Sequence, residues 1–303
     1  MSPSDHEEIE KIIKSFQNDK ASDISVSILK KCAHMISGHL SKFINVFMES
    51  GTFPNSLKIA KVAPIFKKGD PQILDNYRPI SILPIFGKIF EKIIYKRLYD
   101  FLISMNVIYD KQFGFRKDHS TAHAVNYSIN KICSNLERKN YVIGIFIDLS
   151  KAFDTIDHKK LLSKLEHYGI RGTCHDLIKS YMDSRVQYTD FQNTFSDKSL
   201  IEYGVPQGSV LGPLLFLVYI NDITNASEHG HFVLFADDTN IFVTGLSEEE
   251  VYRKANQVLT AVHEYMIKNQ LHINMTKSVY MLFRPFRYSS SVFEFTVKLR
   301  KSK

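Results

Sequence analysis

The seven residues Tyr141–Ile147 (Tyr-Val-Ile-Gly-Ile-Phe-Ile) are apolar on both faces and rich in β-branched side chains, and they stop abruptly at Asp148. A run with no polar face cannot lie on a surface, so it reads as a central strand covered from both sides. The chain has the means to cover it. It has 303 residues, 44% of them hydrophobic, which is ample for a sizeable core. Charged residues make up 23%, close to the globular average, so the bulk is not disordered.

The covering elements follow from periodicity and end signals. Ser4-x-x-Glu7 is a capping-box pattern ahead of Ile9, Ile12, Ile13 and Phe16 at helical spacing. A second helical region covers residues 26–48 and stops near Gly51 and Pro54. Residues 61–70 form a short apolar strand ending in a basic turn, and a Pro-punctuated loop follows at residues 76–80. Residues 86–103 form an amphipathic helix with Phe86, Ile89, Phe90, Ile93, Ile94, Leu98 and Phe101 on its apolar side. Lys88, Lys92 and Lys96 form a basic ridge on it, suited equally to a solvated face or a nucleic-acid contact. Residues 159–168 read as a helix closed by Gly169. Residues 210–220 are the longest apolar stretch, too short to span a bilayer and containing Gly212 and Pro213, so they read as a core helix.

Residues 232–236 and 239–243 read as two short strands with Asp237 and Asp238 alone between them, a tight hairpin with an acidic tip. Ser247-x-x-Glu250 caps a helix that runs to about Lys268. Residues 271–275 and 279–283 read as a final hairpin across residues 276–278. From Arg284 no periodicity is visible, and the chain ends in a basic run at residues 298–303. No internal repeat or low-complexity linker occurs. Helices come first and mixed strands and helices follow, which predicts an α+β architecture with a mostly antiparallel sheet.

The formal net charge of +7 is a mild pointer to a polyanionic partner, nucleic acid above all, and on charge alone an ordinary basic protein is the better reading. Cys32, Cys133 and Cys174 are scattered and show no C-x-x-C spacing, which argues against a disulfide framework or structural zinc and for a reducing, intracellular setting. Residues 1–10 contain no apolar segment of the signal-peptide kind, so neither secretion nor membrane insertion is expected.

Adjacent aspartates at a hairpin tip repel one another, so they must be solvated, partly protonated or neutralised by a cation. An exposed turn is the plain alternative, because Asp is at home in turns. Context moves the reading. The strands on both sides of the pair are apolar, and Asp148 likewise follows a buried strand, so the three carboxylates can converge at strand ends. Hard divalent cations take oxygen ligands and keep positions open for phosphate. Two such ions roughly 3.5–4 Å apart stabilise the attacking and leaving oxygens of an in-line phosphoryl transfer. A polymerase, a nuclease and a metal-phosphatase all remain open at this point.

Five blocks occur in order: Asn76-Tyr-Arg-Pro-Ile-Ser-Ile-Leu83, Gln112-Phe-Gly-Phe-Arg-Lys-Asp-His-Ser-Thr121, Phe146-Ile-Asp-Leu-Ser-Lys-Ala-Phe-Asp154, Gly204-Val-Pro-Gln-Gly-Ser-Val-Leu-Gly-Pro213 and Phe235-Ala-Asp-Asp238. Together they resemble the reverse transcriptase domain of LINE-type (non-LTR) retrotransposons, over residues 20–283. The resemblance implies an RNA-directed DNA polymerase of right-hand shape. Its antiparallel palm sheet is flanked by helices, a helical extension spans residues 1–55, fingers and palm span 56–303, and the catalytic core lies at about 140–285. It implies two Mg²⁺ ions, with Mn²⁺ able to substitute, and an RNA template, a DNA primer and dNTPs as partners.

Residue by residue, the resemblance makes Asp148, Asp237 and Asp238 metal ligands, with the Leu149 carbonyl adding an oxygen. Phe153 matches the bulky position against the nucleotide sugar, where a ring leaves no room for a 2′-hydroxyl. This also argues against an RNA-templated RNA polymerase. Lys67, Lys68 and Arg78 match residues that hold the triphosphate. Gln207 and Gly208 match a loop against the template base and nucleotide, with Gly208 permitting close backbone approach. Lys277 matches a lysine near the pyrophosphate leaving group, a candidate general acid. Arg116, Ser120 and Thr121 lie in a template-contacting segment. Two departures accompany the match. Residues 20–24 look shortened, and neither an endonuclease domain nor most of a thumb is expected. The alternative to an active polymerase is therefore a fragment or decayed copy with its ligands intact and residual RNA binding or none.

Overall fold

The computed structural model describes residues 1–18 and 22–285. The segment 20–24 falls partly, and the basic run 298–303 wholly, outside them. In chain order the elements are α1 (His6–Lys14), α2 (Val26–Lys31), α3 (Ala33–Ser50), β1 (Ile59–Phe66), β2 (Tyr77–Ile82), α4 (Ile85–Ser104), α5 (Thr121–Glu137), β3 (Tyr141–Ile147), β4 (Leu149–Ser150), α6 (His158–His167), α7 (Thr173–Met182), β5 (Val186–Phe191), β6 (Thr194–Phe195), β7 (Ser199–Leu200), α8 (Leu211–Ile220), β8 (His231–Phe235), β9 (Asp238–Gly245), α9 (Glu248–Lys268), β10 (His272–Ile273) and β11 (Val279–Phe283). The architecture is mixed α+β. Two compact units form, one from Met1–Val107 with Ile156–Leu215, the other from Ile108–Thr155 with the described residues from Phe216 onward.

In the first unit the sheet order is β2-β1-β5-β6, with β7 also on β5. The β1–β5 pair is parallel, so this sheet is mixed. α1 begins one residue later than the capping-box pattern predicts. Its N-cap is Asp5, whose carboxylate accepts from Glu8 N at 2.8 Å. Ser4 is buried and committed elsewhere: its N–H and hydroxyl donate to Asn45 Oδ1, and its carbonyl accepts from Ser41 and Asn45 on α3. The single helix expected over residues 26–48 is two, because Cys32, with ψ near zero, ends α2 and opens α3. α4 buries Ile89, Phe90, Ile93 and Ile94 completely. Its basic ridge is bound within the unit. Lys92 donates to Ser15 Oγ at 2.7 Å and lies over the Phe16 ring, and Lys96 donates to Glu8 at 3.0 Å. Arg97 also binds Glu8, and with Lys96 it holds that carboxyl down at about 2. Two of the three ridge lysines thus tie α1 to α4.

In the second unit the sheet order is β11-β3-β9-β8, all antiparallel. β3 is central, as its two-sided apolar pattern demands, with Val142 and Ile143 fully buried. On one face Val142, Val233 and Phe242 pack with Phe113 and with Ala124 of α5. α9 buries Val251, Ala255, Val258, Leu259, Val262 and Met266, and its N-terminus is capped as predicted by Ser247, which accepts from Glu250 N. Glu250 returns the bond to Leu246 N rather than to Ser247.

Two local pairings differ from expectation. β10 and β11 are not partners of one another: β10 pairs with β4 and β11 with β3. Both extend the same β3–β4 edge, and the residues between them form a loop beside Asp148. The β8–β9 hairpin closes one residue early. Phe235 pairs with Asp238, so the two-residue loop is Ala236 and Asp237, with Ala236 left-handed at φ 56°. Among the described residues no helix is long and apolar enough to cross a membrane.

Candidate active site

The β3–β9 ladder ends with Ile147 opposite Thr239, and one step further along both strands stand Asp148 and Asp238. Asp237 precedes Asp238 in the hairpin loop. Three carboxylates therefore emerge at one end of one sheet. Each owes its place to a strand whose apolar residues are locked in the core, because a one-residue slip would turn every side chain to the opposite face.

The loop between β10 and β11 braces Asp148. The Asp148 carbonyl accepts from Asn274 N at 2.8 Å, and the Asp148 N–H donates to Ser278 Oγ at 3.2 Å. The Ser278 hydroxyl donates on to the Asn274 carbonyl at 2.8 Å. The same loop carries Lys277, whose Nζ lies 3.5 Å from Asp148 Oδ2. This is an ion-pair separation without hydrogen-bond geometry. Oδ2 is buried and has no hydrogen-bond partner among the described residues.

The electrostatics match the crowding. Burial pushes the Asp237 carboxyl above its usual range and the charge on Asp148 pushes the same way, against a hydrogen bond from its own backbone. Burial likewise raises Asp238, followed by the charges of Asp237 and Asp148. A cleft of about 460 Å³ opens over this end of the sheet, lined by Thr121, Asp148, Asp238, Asn240 and Lys277 among others.

Such a site suits a hard cation chemically: the donors are all oxygen, they repel one another, and one is buried without a hydrogen bond. Among the described residues, however, no group of three or more His, Cys, Asp or Glu side chains is close enough to form a metal cage alone. A cation here would need further oxygen ligands, from backbone, water or a phosphate-bearing substrate. The Leu149 backbone lies next to Asp148 in the β4–β10 ladder, opposite Ile273.

Phe153 is half-buried, with its ring 4.8 Å from that of Phe216 and 6.2 Å, edge-on, from that of Phe115. Thr121 is exposed and opens α5, and Ser120 caps that helix by accepting from His123 N. Arg116 is spent on backbone: its Nη1 donates to the carbonyls of Tyr109, Asp110 and Gln112.

The other expected residues belong to the first unit. Lys67, Lys68 and Arg78 are exposed at and beside the β1–β2 turn, where Lys67 N donates to the Asn76 carbonyl. The Gln207 carbonyl accepts from Ser81 N at 2.7 Å. Gly208 has φ 123°, and a Cβ there would meet the Ser81 carbonyl oxygen at 2.6 Å, so the close approach needing glycine is to backbone. Glu91 carries no signal in the sequence. It is buried and accepts from Tyr181 OH at 3.0 Å and from Val210 N at 2.5 Å, bracing the segment that carries Gln207 and Gly208. Gln112 opens the second of the five blocks, but the sequence gives no sign of its role. Its signal is a contact with Ala236, 124 residues distant.

Comparison with known proteins agrees with the five-block resemblance. The family model "Reverse transcriptase (RNA-dependent DNA polymerase)" matches residues 65–297. The chain is 30% identical to "Probable RNA-directed DNA polymerase from transposon BS" of Drosophila melanogaster, over 90% of this chain and 31% of that protein. It is 31% identical to "RNA-directed DNA polymerase from mobile element jockey" of the same organism, over 80% of this chain and 27% of the relative. It is 29% identical to "Probable RNA-directed DNA polymerase from transposon X-element", also from D. melanogaster, over 89% of this chain and 31% of the relative. The chain thus spans about a third or less of the length of these relatives. A family match across most of the sequence, together with relatives about 30% identical over 80–90% of the chain, identifies the chain as a member of the reverse transcriptase family, of the kind carried by non-LTR retrotransposons.

Proposed function

We propose that the chain works as an RNA-directed DNA polymerase, joining a primer 3′-hydroxyl to the α-phosphate of a dNTP on an RNA template, with pyrophosphate as the leaving group. The antiparallel sheet of the second unit serves as the palm, and the β1–β2 hairpin belongs to the fingers. The observation that carries this reading is the buried, hydrogen-bond-free Oδ2 of Asp148 at the sheet end shared with Asp237 and Asp238. Asp148, Asp237, Asp238 and the Leu149 carbonyl would hold two Mg²⁺ or Mn²⁺ ions, which when bound stabilise charge on the attacking and leaving oxygens. Lys277 is suited by its ammonium to bind or protonate the leaving pyrophosphate. Lys67, Lys68 and Arg78 neutralise the triphosphate, and Phe153 meets the sugar. Gln207 and Gly208 pack against the template base and nucleotide, and Arg116, Ser120 and Thr121 belong to the segment that faces the template strand.

Primer extension on an RNA template with the 303-residue chain tests this. Template-dependent dNTP incorporation that requires Mg²⁺ or Mn²⁺ and disappears in Asp237→Asn is expected. A folded chain with no incorporation under either ion, or incorporation that survives Asp237→Asn, overturns it.

A further inference from the structure

The Asp237 loop is held from outside the hairpin. Gln112 is 1% exposed, and its Oε1 accepts two backbone N–H groups, from Gly114 at 2.9 Å and from Ala236 at 3.0 Å. The second bond reaches the left-handed residue that immediately precedes Asp237. The flanking backbone fixes the glutamine in turn. Leu234 N donates to the Lys111 carbonyl at 2.9 Å, and Phe113 N to the Leu234 carbonyl at 2.8 Å, so residues 111–113 run as a short parallel bridge along β8. Gly114 then passes so close that a Cβ on it would lie 2.2 Å from Ala236 N. Only glycine fits there unless the hairpin moves.

These contacts serve a conformation that β8 and β9 alone do not secure. A non-glycine residue at positive φ is disfavoured in the isolated chain and persists only where its surroundings over-determine it. Ala236 has no side chain able to bond its own backbone, and the β8–β9 ladder ends at Phe235 and Asp238. The Ala236 N–H would be an unpaired buried donor without Gln112. We infer that Gln112 is a positioning residue, its side-chain oxygen locking Ala236 left-handed so that the Asp237 carboxylate is presented towards Asp148, with Gly114 providing the clearance. This rests on reading Asp237 as a metal ligand, and it adds a requirement that the ligand triad does not itself contain.

The test uses three variants of the full chain and two readouts, neither of which needs polymerisation. Gln112→Leu keeps bulk and removes the acceptor, Gln112→Glu keeps the acceptor oxygen, and Gly114→Ala displaces the hairpin with Gln112 intact. Amide exchange at Ala236, followed by NMR in folded protein without metal, reports the clamp. Mn²⁺ binding, followed by water-proton relaxation, reports the ligand geometry, with Asp237→Asn as the control. Gln112→Leu is expected to speed Ala236 exchange about tenfold, the value of one lost hydrogen bond. It is expected to weaken Mn²⁺ binding about 10–100-fold, as loss of a ligand's supporting contact does. Gly114→Ala should weaken Mn²⁺ similarly, and Gln112→Glu should retain slow exchange. Unchanged Ala236 exchange in Gln112→Leu overturns the clamp. Faster exchange with unchanged Mn²⁺ affinity overturns the positioning role. A wild-type chain that binds no Mn²⁺ refutes the reading of Asp237 as a ligand instead, and the exchange arm still decides the clamp.

Discussion

Lys277 Nζ stands 3.5 Å from Asp148 Oδ2, on a loop whose backbone and Ser278 hydroxyl grip the Asp148 main chain. The lysine side chain is 60% exposed, so the pair is screened and worth at most about 1 kcal/mol to the fold. Its use is therefore to be sought in chemistry. Lys277→Met is expected to shift Tm by less than about 3 °C. It is expected to lower the incorporation rate about 10²-fold, the usual scale of a lost general acid. Stopped-flow single-nucleotide incorporation alongside calorimetry checks both. A large Tm loss with an unchanged rate would make the lysine structural.

Asp237 and Asp238 have folded-state pKa values above the ordinary 3.8, through burial first and then neighbouring carboxylates. The sign follows. Between the unfolded value and the raised folded one, the native state holds more protons than the unfolded state, so stability falls as pH rises through that window. Above it the full penalty remains. Asp237→Asn should therefore raise Tm of the metal-free protein at pH 7, by about 2–4 °C per kcal/mol of burial penalty and repulsion relieved. The gain should vanish near pH 3, where both carboxyls are protonated in either state. Added Mg²⁺ should stabilise the wild type at pH 7 and leave Asp237→Asn less affected. Thermal melts at both pH values decide it, and a variant less stable than wild type at pH 7 without metal contradicts the argument.

What could be read from the sequence was what is local or periodic. β3 shows as an apolar run with matching bounds, α4 as a 3.6-residue pattern, and the start of α9 as Ser247 and Glu250. What could not be read depends on distant partners. Two short strands three residues apart look like a hairpin, but β10 and β11 both find better partners on the β3–β4 edge. Alternation cannot reveal a left-handed Ala236, so the pattern places the hairpin loop one residue too late. Ser4 matches a capping pattern, yet Asn45 of α3 claims its hydroxyl. The sheet-end position of the carboxylates was legible because each directly follows or sits between apolar strands. Gln112 was not, since a glutamine shows nothing until the backbone it supports is folded beside it.

Phe153 leans on Phe216 at 4.8 Å and keeps part of its ring uncovered. A ring held this way can act as a wall without yielding. Phe153→Ala should raise ribonucleotide incorporation relative to deoxyribonucleotide, and its stability cost should stay below the roughly 3–5 kcal/mol of a fully buried Phe→Ala change. Paired kcat/KM measurements with dNTP and rNTP check it. Unchanged discrimination in an active variant would remove Phe153 from the sugar's side.

Glu91 lies in the middle of an apolar helix face, fully buried, with its carboxyl raised by burial and held partly in check by Arg185. Its two oxygens serve Tyr181 OH and the backbone N–H of Val210, at the start of α8. Arg185 is itself buried, donating to the Tyr181 carbonyl at 3.0 Å and stacked on the Tyr181 ring. Glu91→Leu would strand a hydroxyl, an amide and a guanidinium at once, so a loss of about 3–5 kcal/mol is expected. Glu91→Gln keeps an acceptor for one donor and should cost less. The segment with Gln207 and Gly208 hangs from the same amide. Glu91→Gln should therefore raise KM for dNTP more than it lowers kcat, whereas a purely structural glutamate would reduce the folded fraction and leave KM unchanged. Urea unfolding combined with steady-state incorporation separates the two outcomes.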